Sequence, residues 1–141
     1  MAQSGFDKAG YYKVMESGDP AAIDQQIKKI ENAEQINKEA YTGALLMKKA
    51  SLVKGAAKKL NIFKDGHKKL EAAIEKDNSN TEWRFLRLII QEHAPKIVNY
   101  RSDISKDAAA VQAGFKKLAP EIQSAILDYK KNSASLQSLQ F

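Results

Sequence analysis

The sequence predicts an all-α fold, and three observations carry the prediction. Helix-breaking residues are scarce, with Gly 7 and Pro 3 in 141 residues, while the strong helix formers Ala, Lys, Leu, Glu and Gln are plentiful. Apolar residues recur at three- and four-residue steps along most of the chain, which is the period of one helix face. No segment sustains the period-two alternation of a half-buried strand. About seven helices and no sheet are expected. The length suits one helical domain over 1–141, with 1–5 and 133–141 as candidate flexible ends.

The first helix is expected from about Gly5 to Ser17, with Phe6, Gly10, Tyr11, Val14 and Met15 on one face. Ser17-Gly18 ends it, since Gly readily takes the left-handed conformation after a last turn. Asp19-Pro20 opens the second helix: Asp accepts from the first free amides, and Pro at the first helical position has no amide to leave unpaired. Ile23, Ile27 and Ile30 form its apolar stripe, widened by Ala22 and Ala33, and Asn32 to Gln35 reads as a turn. The third helix is expected to be the longest, from about Ile36 to Lys59, with a broad apolar band running from Ala40 and Tyr41 to Ala56 and Ala57. Gly43 and Gly55 fall inside that band, where Gly costs about 1 kcal/mol. Gly43 marks either the close approach of a neighbouring helix or a tolerated weak position.

Leu60 to Gly66 is ambiguous and reads as a loop that tucks Ile62 and Phe63 into the core. The fourth helix then runs from about Phe63 to Lys76, with Phe63, His67, Leu70, Ala73 and Ile74 inward. Asp77-Asn78-Ser79-Asn80 is the clearest turn. Ser79 and Glu82 have capping-box spacing, with Asn80 as the alternative N-cap. The fifth helix carries Trp83, Phe85, Leu86, Leu88, Ile89 and Ile90, and a helix apolar on most sides sits centrally in its bundle. Pro95 ends it and starts a short helix through Tyr100. Ser102 or Asp103 caps the next, which carries Ile104, Ala108, Val111, Phe115 and Leu118. Pro120 restarts the chain into a last helix with Ile122, Ala125, Ile126 and Tyr129 inward. The Ser- and Gln-rich segment Ser133 to Phe141 reads either as a frayed tail or as a strap docked through Leu136, Leu139 and Phe141.

Composition narrows the function classes. The longest uncharged apolar run, Gly43 to Met47, is far short of the roughly 20 residues a transmembrane helix needs, so a soluble chain is expected. The absence of Cys removes disulfides, thiolate nucleophiles and Cys-ligated zinc. The polar lead Met1 to Gly5 reads as the trimmed end of an exported protein (periplasmic or secreted), with Met1 as an added start, in preference to a cytoplasmic N-terminus. Net charge is +6 and uneven: residues 1–70 hold 13 Lys against 8 acids, whereas residues 71–141 hold 10 basic residues against 9. The excess peaks between Met47 and Leu70, where Lys48, Lys49, Lys54, Lys58, Lys59, Lys64, Lys68 and Lys69 face only Asp65.

The stretch from Gly66 to Leu86 resembles the junction between two tetratricopeptide units. Gly66, Leu70 and Ala73 fit, in order, the small residue, the large apolar residue and the Ala of a unit's second helix. Asn78 stands where the closing turn usually has Pro, and Trp83 and Leu86 match the aromatic and Leu that open the next unit. No second copy at a 34-residue period accompanies it. The resemblance, shared with uncharacterised bacterial proteins of this kind, implies antiparallel helix hairpins in a right-handed superhelix, or a compact helical bundle. It also implies a concave surface for a peptide or protein partner and no catalysis.

Candidate sites are few. His67 and Glu71 have the four-residue spacing of two metal ligands on one helix face, with no third signposted, and surface or half-buried histidine is the simpler reading. His93 reads as a partner of its own helix C-terminus. Glu71 and Glu75 form a carboxylate pair on a lysine-rich, solvated face. No zinc-protease, phosphate-loop or nucleophile-elbow motif is present, so no enzyme, cofactor or metal is expected. Trp83, Arg84 and Arg87, with Tyr41, are the candidate groove residues for a protein or peptide partner, because Trp and Arg lead binding hot spots. Core anchoring by Trp83, with the arginines covering its edge, is the competing reading. Lys48, Lys49, Lys58, Lys59, Lys68 and Lys69 are the candidate anion site, the alternative being an electrostatic binder of nucleic acid or anionic lipid. That reading requires the lysines to converge on one face.

Overall fold

The computed structural model describes residues 6–33 and 37–141. The lead at 1–5 and part of the expected 32–35 turn lie outside the described residues. The described residues are all-helical, with seven α-helices, two single 3₁₀ turns and no strand. They are α1 (Lys8–Glu16), α2 (Pro20–Asn32), α3 (Lys38–Ala50), α4 (Ala56–Lys76), α5 (Thr81–His93), α6 (Ile104–Gly114) and α7 (Pro120–Lys130). The 3₁₀ turns are Lys96–Val98 after α5 and Phe115–Lys117 after α6.

Local chemistry explains most of the helix starts. Asp7 caps α1 by accepting from the Gly10 amide, Asp19 caps α2 from Ala21, and Asn80 caps α5 from Trp83. Pro20 and Pro120 occupy first-turn positions. The expected capping box is not formed: Asn80, not Ser79, is the cap, and the Glu82 side chain turns into the core. The first helix ends at an extended Ser17, without a left-handed Gly18.

The largest correction concerns the third helix. The expected run from Ile36 to Lys59 is two helices, broken over residues 51–55, where Gly55 has φ of 95°. Gly55 is therefore a turn residue, and Ala56 and Ala57 are exposed at the start of α4 instead of extending the band of α3. The expected loop at Leu60–Gly66 is helical, which makes α4, at 21 residues, the longest helix. Periodicity alone did not reveal the break, because the apolar phase runs nearly unshifted through Leu52 and Val53 into Ala56.

Cross-helix bonds fix the directions of the helices. Between α3 and α4, Glu39 pairs with Lys76 and the Ala50 carbonyl accepts from Lys59, so the two run antiparallel. Gly43 lies at the crossing: a Cβ there would stand 2.7 Å from the Gly66 carbonyl oxygen and 2.7 Å from the Leu70 amide nitrogen. Close approach is thus the reason for Gly43. The Asp24–Lys49 pair sets α2 antiparallel to α3, and Asp107 and Asp103 bonded to Arg84, Arg87 and Gln91 set α6 antiparallel to α5. Helix α5 is central: Phe85, Leu86 and Leu88 are fully buried, and Trp83, Ile89 and Ile90 nearly so. The C-terminal segment is docked, not frayed, with Leu136 fully buried, Phe141 against Phe115 and the Gln140 carbonyl bonded to Gln112. No helix among the described residues is long and apolar enough to cross a membrane.

Candidate functional site: a cleft between the first and last helices

A buried helix that carries Glu82, Arg87 and Gln91 must satisfy each of them internally. Asp107, wholly buried on α6, provides the main anchor. Its carboxylate accepts from Arg84 Nε at 2.7 Å, Arg87 Nε at 2.8 Å, Arg87 Nη2 at 2.9 Å and Gln91 Nε2 at 2.8 Å. The remaining Arg87 donor reaches Glu71 at 2.9 Å, and Tyr100 donates to the other Glu71 oxygen at 2.5 Å. Burial opposes the Arg87 charge, but Asp107, Glu71 and Asp103 overcome it and hold the guanidinium firmly protonated. This network joins α4, α5 and α6, and among the described residues none of its buried side-chain donors is left without a partner.

A second buried acid ties the opposite side. Glu82 accepts from Tyr12 at 2.7 Å and Tyr41 at 2.8 Å, with Lys8 at 3.4 Å. Burial first, and the Glu82 charge second, push the Tyr12 and Tyr41 hydroxyls well above their ordinary pKa, so both remain donors. Tyr41 packs edge-on against Trp83, and Tyr11 donates to the Tyr41 carbonyl. Trp83 Nε1 is buried without a hydrogen-bond partner among the described residues.

These placements decide the sequence candidates. Tyr41, Trp83 and Arg87 are buried and Arg84 is committed to Asp107 and the Asn78 carbonyl, so the expected groove wall is interior structure. The core-anchor reading of Trp83 is the one observed. Glu71 is engaged by Arg87 and Tyr100 in place of any role with His67 or Glu75, and His67 lies against Phe63 and Tyr100. No group of three or more His, Asp or Glu among the described residues is placed to hold a metal ion.

The lysines do not converge. Lys49 pairs with Asp24, Lys59 folds onto the end of α3, and Lys48 lines a cleft on the other side of that helix end. Only Lys58, Lys64, Lys68 and Lys69 share a face, an arc of about 140° on α4 at 100° per residue, and Asp65 sits within that arc paired to Lys69.

The cleft is the feature that the sequence reading missed. It has a volume of about 620 Å³ and lies between α1 and α7, which come from opposite ends of the chain, with α5 as its base. Tyr12, Met15, Phe85, Ile89 and Ala125 give it an apolar floor. Such a floor open to solvent is what a binding site for an apolar group requires. The rim is charged: Lys13 and Glu16 from α1, Lys48 from α3, and Glu121 and Asp128 from α7. Glu16 and Asp128 line this rim from the two helices, and the nearby Asp128 carboxyl, with burial, raises the Glu16 pKa, opposed by Lys48. Met15, Ala125 and Tyr129 were legible as inward residues, whereas Tyr12 falls beside the periodic face of α1. Nothing local signals that α1 and α7 are neighbours.

Comparison with protein-family models, with curated proteins and with solved structures finds no match for the chain.

Proposed function

We propose that the protein is a non-enzymatic helical scaffold of the tetratricopeptide-like kind that binds a protein or peptide partner in the α1/α7 cleft. The single observation carrying this reading is the open 620 Å³ cleft with an apolar floor and a charged rim. Its base belongs to α5, the most buried helix, so the floor is held rigid by the core and needs little ordering on binding. The tetratricopeptide-like reading draws support from the antiparallel pairing of neighbouring helices and from Leu70, Ala73, Trp83 and Leu86, all of which are buried at the α4–α5 junction.

The test pairs two variants in a capture experiment from lysate of the source at low and high salt. Ser124→Trp fills the cleft from an exposed position on α7, and Lys64→Glu with Lys68→Glu reverses the outer face of α4. A partner retained at high salt, lost with Ser124→Trp and kept by the lysine variant supports the cleft. Material lost at high salt and with the lysine variant, but indifferent to Ser124→Trp, overturns it in favour of electrostatic binding of nucleic acid or anionic lipid.

A further inference from the structure

The occupant of the cleft can be narrowed by charge, given the binding reading above. The protein carries a net charge of +6, yet three of the five formal charges on the cleft rim are acids: Glu16, Glu121 and Asp128 against Lys13 and Lys48. The rim is therefore acid-rich on a basic molecule, and a cationic segment repelled elsewhere is drawn there. Two of the acids, Glu16 from α1 and Asp128 from α7, line the same mouth, and among the described residues the one ion pair that either makes is Asp128 with Lys131, three residues on, at 3.8 Å. Carboxylates gathered on one rim favour a cation beside them. Met15, Ala125, Ile89 and Phe85 line the same cleft.

From this juxtaposition we infer that the cleft takes a peptide segment with an apolar side chain next to a lysine or arginine. The apolar group covers the floor, and the cation pairs with Glu16 and Asp128 at the rim. An acidic segment would meet three acids against two lysines at the same rim. The other titratable groups facing the site are Tyr12 from α1, Glu121 and Tyr129 from α7 and the exposed His93 from α5.

The probes are two short amphipathic peptides with the same leucine pattern, one with lysine and the other with glutamate at the polar positions. Binding to the intact protein is followed by titration at neutral pH. The leucine–lysine peptide is expected to bind more tightly. Glu16→Gln with Asp128→Asn, both at exposed positions, should lower its affinity about fivefold, the effect of two half-exposed ion pairs, and bring the two peptides close together. Circular dichroism of each variant confirms folding. If both peptides bind equally, and both are expelled by Ser124→Trp, the charge preference is overturned while the cleft reading survives. If neither peptide saturates, or if Ser124→Trp changes nothing, both fall.

Discussion

Gly43 and Gly66 face each other across the crossing of α3 and α4, each occupying the space a side chain would need. A Cβ on Gly66 would stand 2.5 Å from the Gly43 carbonyl oxygen and 2.9 Å from Leu46 Cβ. Backbone is the obstacle on both sides, so no rotamer change relieves the clash. Gly43→Ala and Gly66→Ala are each expected to lose about 1–3 kcal/mol in urea denaturation, despite the better helix propensity of Ala. A gain in stability by either variant would show that the helices pack less closely than described.

Gly55 and Gly18 give a contrasting pair. Gly55 has φ of 95° with no atom closer than Lys58 Cβ at 4.0 Å, so Gly55→Ala strains the backbone alone, and a loss of about 1–3 kcal/mol is expected. Gly18 has open space and an ordinary φ, and Gly18→Ala should be neutral or stabilise by up to about 1 kcal/mol. Thermal unfolding of the two variants side by side checks the difference; equal shifts would contradict it.

Asp107 is the acceptor for four donors, and its isosteric amide cannot replace it. Asp107→Asn points an amide NH₂ at guanidinium or Gln91 donors and leaves Arg87 without its main counter-charge. A loss of about 3 kcal/mol is expected, at the low end for a broken buried pair because Glu71 still holds Arg87. Denaturant midpoints measure it, and a loss below about 1 kcal/mol would mean that Glu71 and Asp103 suffice.

Glu92 fastens the C-terminal strap, accepting from Tyr129, from the Ser133 hydroxyl and from the hydroxyl and amide of Ser135. Burial alone would raise its pKa, but the hydrogen bonds from Ser135, Tyr129 and Ser133 overcome that and hold it below the ordinary value. A lowered carboxylate pKa stabilises the ionised, docked form. That contribution is complete above the ordinary Glu value of about 4.3 and is lost as pH falls through the lowered folded value. Amide hydrogen exchange at Ser135 and Leu136 should therefore quicken in acid, relative to α5, before the helices melt, and Glu92→Gln should show the same loosening at neutral pH. A strap equally protected in the variant would place its anchor in Leu136 instead.

Much of the architecture was legible because its causes are local. Asp19-Pro20, Asn80, Pro95 and Pro120 act on amides within one turn of themselves, and the apolar crowding of residues 83–90 can be accommodated only at the centre of a bundle. The break at 51–55 was not legible, since a single positive φ at Gly55 leaves the apolar phase on either side nearly unchanged. Hot-spot chemistry also misplaced Arg87 and Tyr41: their polar ends suggested a surface, but Asp107 and Glu82, distant in sequence, supply buried partners.

The sequence by itself determined the helix content, most of the boundaries and the central position of α5, all set by propensity, capping and period. Only the tertiary structure decided that Gly43 meets Gly66, that Glu92 holds the strap, and that Glu16 and Asp128 come together over an apolar floor. Each of these joins residues on different helices, and which helix faces can touch is set by packing the whole set of helices at once.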